Sequence, residues 1–114
     1  MSKDCIFCQI INKQAPAKIV YEDEQLVAFP DIQPKAPVHL IIVPKKHLES
    51  LNQAENSDSV ILGQLFLAAK KLAQEYHLAD SGYKLAMNVG RGGGQLVNHL
   101  HLHLLGGREL RGIV

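Results

Sequence analysis

The chain has 114 residues, enough for one domain with a hydrophobic core, and 46% of them are hydrophobic, as in an ordinary globular protein. Its 12 basic and 11 acidic residues leave a formal charge of +1, so no strong field would draw nucleic acid or an anionic membrane to its surface. No apolar run reaches the length of a membrane helix, and the first residues lack the apolar segment of a signal peptide. We therefore expect a cytoplasmic protein.

The first half of the sequence predicts one short helix and three strands. Residues 5–12 have helical apolar spacing, with Asp4 as the expected N-cap. Residues 18–21 and 25–29 are typical of short strands around an acidic turn. Residues 38–43 form a nearly continuous apolar run with one polar exception, His39, which indicates a central strand covered on both faces.

The second half predicts one long helix and two further strands. The helix is expected over residues 57–76, with Ser57 or Asp58 as its cap and an apolar stripe from Ile61 to Tyr76. Strands are expected over residues 83–88 and 98–105, separated by a glycine-rich loop. Clustered strands with one long helix, and no repeat or linker, predict a single α+β domain over residues 1–114 with an antiparallel sheet.

Cys5 and Cys8 have the spacing of half a zinc site. Haem attachment would require a histidine directly after the second cysteine, and that position is Gln9. A cysteine pair supplies two ligands, so histidines from elsewhere would have to complete a tetrahedral site. Two unligated core thiols remain the alternative at this point.

The loop over residues 90–94 contains four glycines, and glycines allow backbone N–H groups to converge on an anion. The loop matches neither a Walker A motif nor a dinucleotide-binding fingerprint, because Gln95 stands where the last glycine would be. Taken alone, it is equally typical of a flexible hairpin loop. Its place directly before three histidines favours a phosphate cradle.

Residues 98–105 alternate histidine and leucine with a period of two, which places His99, His101 and His103 on one face of a strand. Two mechanisms are open. In the first, a neutral imidazole attacks an electrophile such as phosphorus while its neighbours stabilise charge. In the second, histidines of this strand hold a catalytic zinc. Outside the triplet, His39 is either a core residue or a support for the site, and His47 has a solvated loop position by default. His77, at the end of the long helix, is expected to complement the helix dipole.

The triplet, as His99-Leu100-His101-Leu102-His103-Leu104-Leu105, resembles the signature of the histidine-triad superfamily, and the similarity extends over nearly the whole chain. Gly106-Gly107-Arg108 after the triplet is similar to the Hint branch, the purine nucleoside phosphoramidases. The dinucleoside polyphosphate hydrolases of the superfamily typically have a proline soon after the triplet. The nucleotidyltransferases replace the last histidine with glutamine, so His103 favours a hydrolase.

The resemblance implies a homodimer in which each subunit contributes a five-stranded antiparallel sheet, one long helix and one short helix, giving ten strands across the dimer. It implies His101 as the nucleophile that accepts AMP or GMP, with His103 at the phosphate and leaving group and with His39 and His99 as supporting histidines. Members with the cysteine pair bind structural zinc, here through Cys5, Cys8, His47 and His99. The implied nucleotide-binding residues are Ile6, Phe7, Ile10, Phe29, Asp31, Ile32, Asn88, Gly94, Gln95, Leu96 and Val97, with Asp31 on the ribose hydroxyls.

Two departures from the family pattern concern substrate choice. Many members have serine at the position of Leu96, where a hydroxyl can reach the phosphate and a leucine cannot. The sequence also continues only a few residues beyond Gly106-Gly107-Arg108, where relatives often have a longer tail that shapes substrate choice. Both features keep a nucleotide-binding adaptor with little turnover as an alternative to the phosphoramidate hydrolase, alongside a dinucleoside polyphosphate hydrolase.

Overall fold

The computed structural model describes residues 4–112, and these residues build a five-stranded antiparallel sheet with helices on both faces. The strand order is β1-β2-β3-β5-β4, so β3 is central and β4 forms one edge. The helices are α1 (Ile6–Ile11) and α2 (Ser59–Glu75), and the strands are β1 (Tyr21–Glu22), β2 (Leu26–Pro30), β3 (Val38–Pro44), β4 (Tyr83–Ala86) and β5 (Leu102–Gly106). The predicted α+β class and antiparallel sheet are confirmed.

The sheet is buried on both faces, which explains the continuous apolar run in β3. Leu40 and Ile42 face the core beneath α2 together with Leu102 and Leu104 of β5. Ile41 and Val43 face the opposite core, which includes Phe7 and Ile10 of α1. His39 shares this second face. The histidines therefore lie beneath the short helix, and α2 with its buried stripe supports them from behind.

Several predicted boundaries are corrected by the structure. Cys5, and not Asp4, is the N-cap of α1, because its Sγ accepts the N–H of Cys8 at 3.4 Å. The long helix begins after a single 3₁₀ turn, Asn56–Asp58, in which Asp58 accepts the N–H of Glu55. Among residues 4–112, neither helix combines the length and apolar character needed to cross a lipid bilayer.

The histidine strand is shorter than predicted. Its pairing with β3 ends at Ile42 and Leu102, so the ladder stops two residues before Pro44, which has no N–H to donate. Leu100 donates its N–H to the carbonyl of Leu48 instead. His99 and His101 thus lie before β5, in a segment outside the sheet ladder that bends at His99, and only His103 belongs to β5.

Candidate active site

Four side chains from three parts of the chain converge into one cluster: Cys5, Cys8, His47 and His99. The Nδ1 atoms of His47 and His99 are 3.1 Å apart, and the Sγ of Cys8 lies 3.2 Å from the first and 3.6 Å from the second. The Sγ of Cys5 lies 3.4 Å from Nδ1 of His99. Cys5 and Cys8 share one side of the start of α1, because they are three residues apart on a helical turn.

The donor atoms of this cluster fit a metal ion. His99 donates its Nε2–H to the carbonyl of Pro44 at 2.8 Å, so its Nδ1 carries a lone pair directed at the two sulfurs. In tetrahedral zinc sites, neighbouring ligand atoms lie about 3.3–3.8 Å apart, as follows from the usual Zn–N and Zn–S bond lengths. The distances in the cluster are close to this spacing. Cys5, Cys8, His47 and His99 therefore form a candidate metal site.

A second feature is a cleft of about 810 Å³ between α1, the chain after β2 and the segment that carries His101 and His103. This volume lies within the range of small-molecule sites. The cleft is lined by His39, His101 and His103 and by ten of the predicted nucleotide-binding residues, namely Ile6, Phe7, Ile10, Phe29, Asp31, Ile32, Asn88, Gly94, Leu96 and Val97. His99 and Gln95 are not among its lining residues.

The cleft has an apolar interior and two very exposed apolar residues. Phe7 and Phe29 meet edge to face with ring centroids 5.4 Å apart, and Phe7 also contacts the ring of His101. In contrast, Ile32 is 95% exposed and Leu96 is 90% exposed. These two side chains make few contacts with the rest of the described chain and are available to a bound molecule.

Backbone groups fix the protonated nitrogen on two histidines of the cleft. His101 donates its Nδ1–H to the carbonyl of His99 at 2.7 Å, which leaves the lone pair on Nε2. His39 accepts the N–H of Lys35 on its Nδ1 at 3.1 Å, so its proton is on Nε2.

The His39 tautomer in turn determines that of His103. Nε2 of His39 lies 2.9 Å from Nδ1 of His103 and donates to it. His103 therefore carries its own proton on Nε2, the ring nitrogen that remains for the cleft.

Burial keeps these rings neutral at physiological pH. It lowers the pKa of His39 and His101 below the ordinary value of 6.5, although the nearby Asp31 carboxylate acts in the opposite direction. It lowers the pKa of His103 to about 4, with further lowering from His101 and His39. For His99, burial likewise lowers the pKa to about 4. A neutral ring with a defined tautomer offers one lone pair and one N–H, which is the combination that nucleophilic and hydrogen-bonding roles require.

The sequence is similar to one known protein family. The family model described as HIT domain matches residues 12–110, which include the three histidines of the triplet. The chain belongs to the HIT family.

Individual relatives resemble this HIT protein over nearly its full length. An uncharacterized HIT-like protein from Synechococcus elongatus is 46% identical over 110 residues, which is 96% of each chain. A HIT family hydrolase from Legionella pneumophila is 49% identical, with a TM-score of 0.93 over 95% of this chain and 96% of that chain. A zinc-bound histidine triad family protein from Mycobacterium smegmatis is 31% identical, with a TM-score of 0.79 over 92% of this chain and 76% of that chain.

The glycine-rich loop of this HIT domain differs from the open amide nest that its composition predicts. Gly90 and Gly94 have φ values of 70° and 84°, which other residues rarely adopt, and they flank a single 3₁₀ turn. The N–H groups of Gly93, Gly94 and Gln95 donate to carbonyls within the loop, and that of Gly90 donates to Oε1 of Gln95. The Gln95 amide also donates to the carbonyls of Glu49 and Val97, so this side chain braces the loop.

Lys35 carries no sequence signal of a functional role, although its backbone N–H determines the tautomer of His39. No side-chain pattern could have revealed it, because the contact is made by the main chain. The cleft beyond α1 is also lined by Lys18 and residues 15–17. These residues have no distinctive spacing, and only the fold brings them beside the site.

Asp31, His39 and His103 form a second group whose potential ligand atoms lie within 4.8 Å of one another. Their hydrogen bonds favour a polar network over a metal site. Nε2 of His39 carries a proton, because Lys35 donates to the other ring nitrogen, and this proton lies between His103 at 2.9 Å and Asp31 at 3.5 Å. A metal ion on Nε2 would require the proton to move to Nδ1, opposite the Lys35 N–H. This argues against a catalytic zinc on these three residues.

Proposed function

We propose that this HIT protein hydrolyses the P–N bond of purine nucleoside 5'-phosphoramidates, such as AMP joined to an amine, through a covalent nucleotidyl intermediate on His101. The observation that carries the proposal is the tautomer of His101. Its Nδ1–H is engaged by the His99 carbonyl, so the lone pair is on Nε2 in a ring that lines the cleft. The hydrolase names of structural relatives such as the Legionella protein support the reaction type.

The proposed reaction has two displacements at phosphorus. In the first, Nε2 of His101 forms a bond to phosphorus as the P–N bond breaks, and the amine leaves neutral because its nitrogen was protonated in the reacting substrate. In the second, water attacks phosphorus, the bond to His101 breaks, and one proton of the water is released to solvent. His103 donates its Nε2–H to a phosphoryl oxygen in both steps and stabilises the charge that develops there. The products are the nucleoside monophosphate and the amine.

The remaining cleft residues suit the nucleoside. Phe7, Ile10 and Phe29 supply an apolar surface for a purine base, and the Asp31 carboxylate is an acceptor for the two ribose hydroxyls. Asn88, Gly94, Leu96 and Val97 lie on the phosphate side in this proposal. Gln95 contributes indirectly, by holding the loop that carries them.

We further propose that Cys5, Cys8, His47 and His99 hold a structural zinc ion. The chemistry of the donor set supports zinc, because two cysteine sulfurs and two imidazole nitrogens are the ligands of closed tetrahedral zinc sites. The zinc-bound relative from Mycobacterium smegmatis is consistent with it. In such a closed site, zinc supplies no Lewis acid to the substrate and acts by joining α1 to the segment that carries His101.

A test of the function is to mix the protein with lysyl-AMP phosphoramidate and to search by mass spectrometry for an acid-labile nucleotide adduct on His101. His101→Ala should lose both the adduct and turnover while it keeps its fold and zinc content. His77→Asn is a matched control, because His77 is exposed and has a φ of 60° that asparagine tolerates. Turnover that persists in His101→Ala would contradict the proposed nucleophile.

Two further measurements address the alternatives. Removal of zinc by a chelator should leave the chemistry of a histidine nucleophile in the fraction that stays folded, whereas a zinc hydrolase would lose it. Tight AMP binding without turnover of the phosphoramidate would instead indicate the nucleotide-binding adaptor.

A further inference from the structure

The loop between β2 and β3, residues 31–37, carries the amide that fixes the tautomer of His39. The loop is largely exposed, so few packing contacts hold its conformation. Both polar groups of the Lys35 backbone are nevertheless bonded. The N–H donates to Nδ1 of His39 at 3.1 Å, and the carbonyl accepts Nη2 of Arg108 at 3.1 Å. One peptide segment is thus held between a histidine of the cleft and an arginine that follows β5.

The chain after β5 also packs against this loop. Gly107 has a φ of 95°, and a Cβ at this position would lie 2.9 Å from Cβ of Pro37. The backbone therefore approaches the loop more closely than an alanine would allow, and it turns so that Arg108 reaches the carbonyl of Lys35. Gly107 and Arg108 thus both contact this loop, at Pro37 and at the carbonyl of Lys35.

We propose that Arg108 is a positioning residue that sets the direction of the histidine hydrogen-bond chain through the Lys35 amide. The argument for catalysis rests on the proposed function, in which His103 donates its Nε2–H to a phosphoryl oxygen. That N–H exists because His39 donates to Nδ1 of His103, and His39 does so because Lys35 occupies its Nδ1. Arg108 is exposed and lies far from Lys35 and His39 in the sequence. It nevertheless supports the hydrogen bond from Lys35 to His39 by binding the Lys35 carbonyl.

Loss of the Arg108 contact would allow the hydrogen bond between His39 and His103 to reverse its donor and acceptor. Without the Lys35 N–H nearby, His39 can carry its proton on Nδ1 and accept from His103 on Nε2. His103 would then present a lone pair to the cleft, and an anionic phosphoryl group would be repelled where it is now bound. Asp31 lies 3.5 Å from Nε2 of His39 and favours the original direction, so we expect a mixture of the two tautomers.

The experiment compares Arg108→Ala with Arg111→Ala, whose guanidinium bonds the carboxylate of Glu109. Long-range ¹H–¹⁵N NMR spectra of the zinc-loaded protein, recorded without substrate, report the protonated nitrogen of His39 and His103. We expect one tautomer in the wild type and in Arg111→Ala, and an admixture of the Nδ1–H form of His39 in Arg108→Ala. An unchanged His39 tautomer in Arg108→Ala would overturn the proposal.

Binding measurements provide a second readout that needs no turnover. Arg108→Ala should bind AMP about fivefold more weakly and bind adenosine unchanged, since the lost hydrogen bond is to the phosphate. An equal loss for both ligands would indicate general loosening and would contradict a positioning role. If wild-type protein failed to cleave the phosphoramidate while Arg108→Ala still changed the tautomer, the proposed hydrolysis would fail and the positioning role would stand.

Discussion

Backbone groups, rather than the histidines themselves, distinguish the rings of the triplet. The carbonyl of Pro44 binds Nε2–H of His99 and turns its lone pair to the cysteines, whereas the carbonyl of His99 binds Nδ1–H of His101 and turns that lone pair to the cleft. His103 is determined through His39. Three identical side chains therefore expose different atoms because different main-chain groups face them.

Burial of a neutral His103 predicts a pH dependence of stability. Its pKa is about 4 in the folded chain and about 6.5 in an unfolded one, so the unfolded state takes up the proton first as the pH falls. The contribution is fully present above pH 6.5 and is lost between pH 6.5 and about 4, with a slope of up to about 1.4 kcal/mol per pH unit. The free energy of unfolding, measured by chemical denaturation between pH 6.5 and about 4, should fall less steeply for His103→Asn than for wild type. Parallel profiles would contradict this origin.

We expect replacement of Leu96 by serine to raise the phosphoramidate hydrolase activity. The side chain lines the cleft and is 90% exposed, so replacing it creates no cavity in the core. In Leu96→Ser a hydroxyl could donate to the phosphate, and a hydrogen bond of about 0.7 kcal/mol corresponds to a rise of about threefold in kcat/KM on AMP phosphoramidates. Leu51→Ser, at another exposed leucine, is the control and should leave kcat/KM unchanged. A fall in kcat/KM for Leu96→Ser would show that the leucine itself contacts the substrate.

At the level of elements, the sequence predicted what depends on periodicity and missed what depends on tertiary contacts. The apolar run of β3 and the stripe of α2 are local patterns, and both elements lie where they were predicted. The start of β5 depends on where its pairing with β3 ends, at Ile42 and Leu102, and the cap of α1 depends on a cysteine sulfur in place of the nearby aspartate. His47 has a surface position by sequence, and only the resemblance, and then the fold, placed it with the cysteines.

The short helix α1 predicts a local response to metal removal. It has six residues, fewer than an isolated helix needs to be stable in water, and its start carries both cysteines. Phe7 and Ile10 of α1 line the cleft, so the proposed zinc would also order the base pocket. Chelation should raise hydrogen exchange in residues 6–11 and weaken AMP binding, while α2 stays protected. Uniform exchange across the chain would indicate global unfolding, and unchanged exchange would contradict a structural metal.

For the molecule as a whole, the structure of residues 4–112 includes two surfaces that suit contact with a second copy of the chain. β4 is an edge strand, with β5 as its neighbour in the sheet. The outer side of α2 exposes Val60 and Leu67, which are 67% and 66% exposed and one helical repeat of seven residues apart. Gly63 lies between them, and a Cβ added there would meet no atom within 4 Å, so another helix could approach closely. We propose that a second copy of the chain covers both surfaces and extends the sheet to about ten strands.

The proposed homodimer can be tested by placing a charge on the exposed face of α2 that carries Val60 and Leu67. Leu67→Glu would bury two carboxylates in a two-fold interface, one from each copy, without a partner for either, so light scattering should give the mass of a monomer. The substitution is on the surface of α2, so the isolated fold should keep its helical circular dichroism. Leu51→Glu makes the same change at an exposed leucine outside the helix and should remain dimeric. A monomeric wild type, or a dimeric Leu67→Glu protein, would exclude the exposed face of α2 at Val60 and Leu67 as the dimer contact.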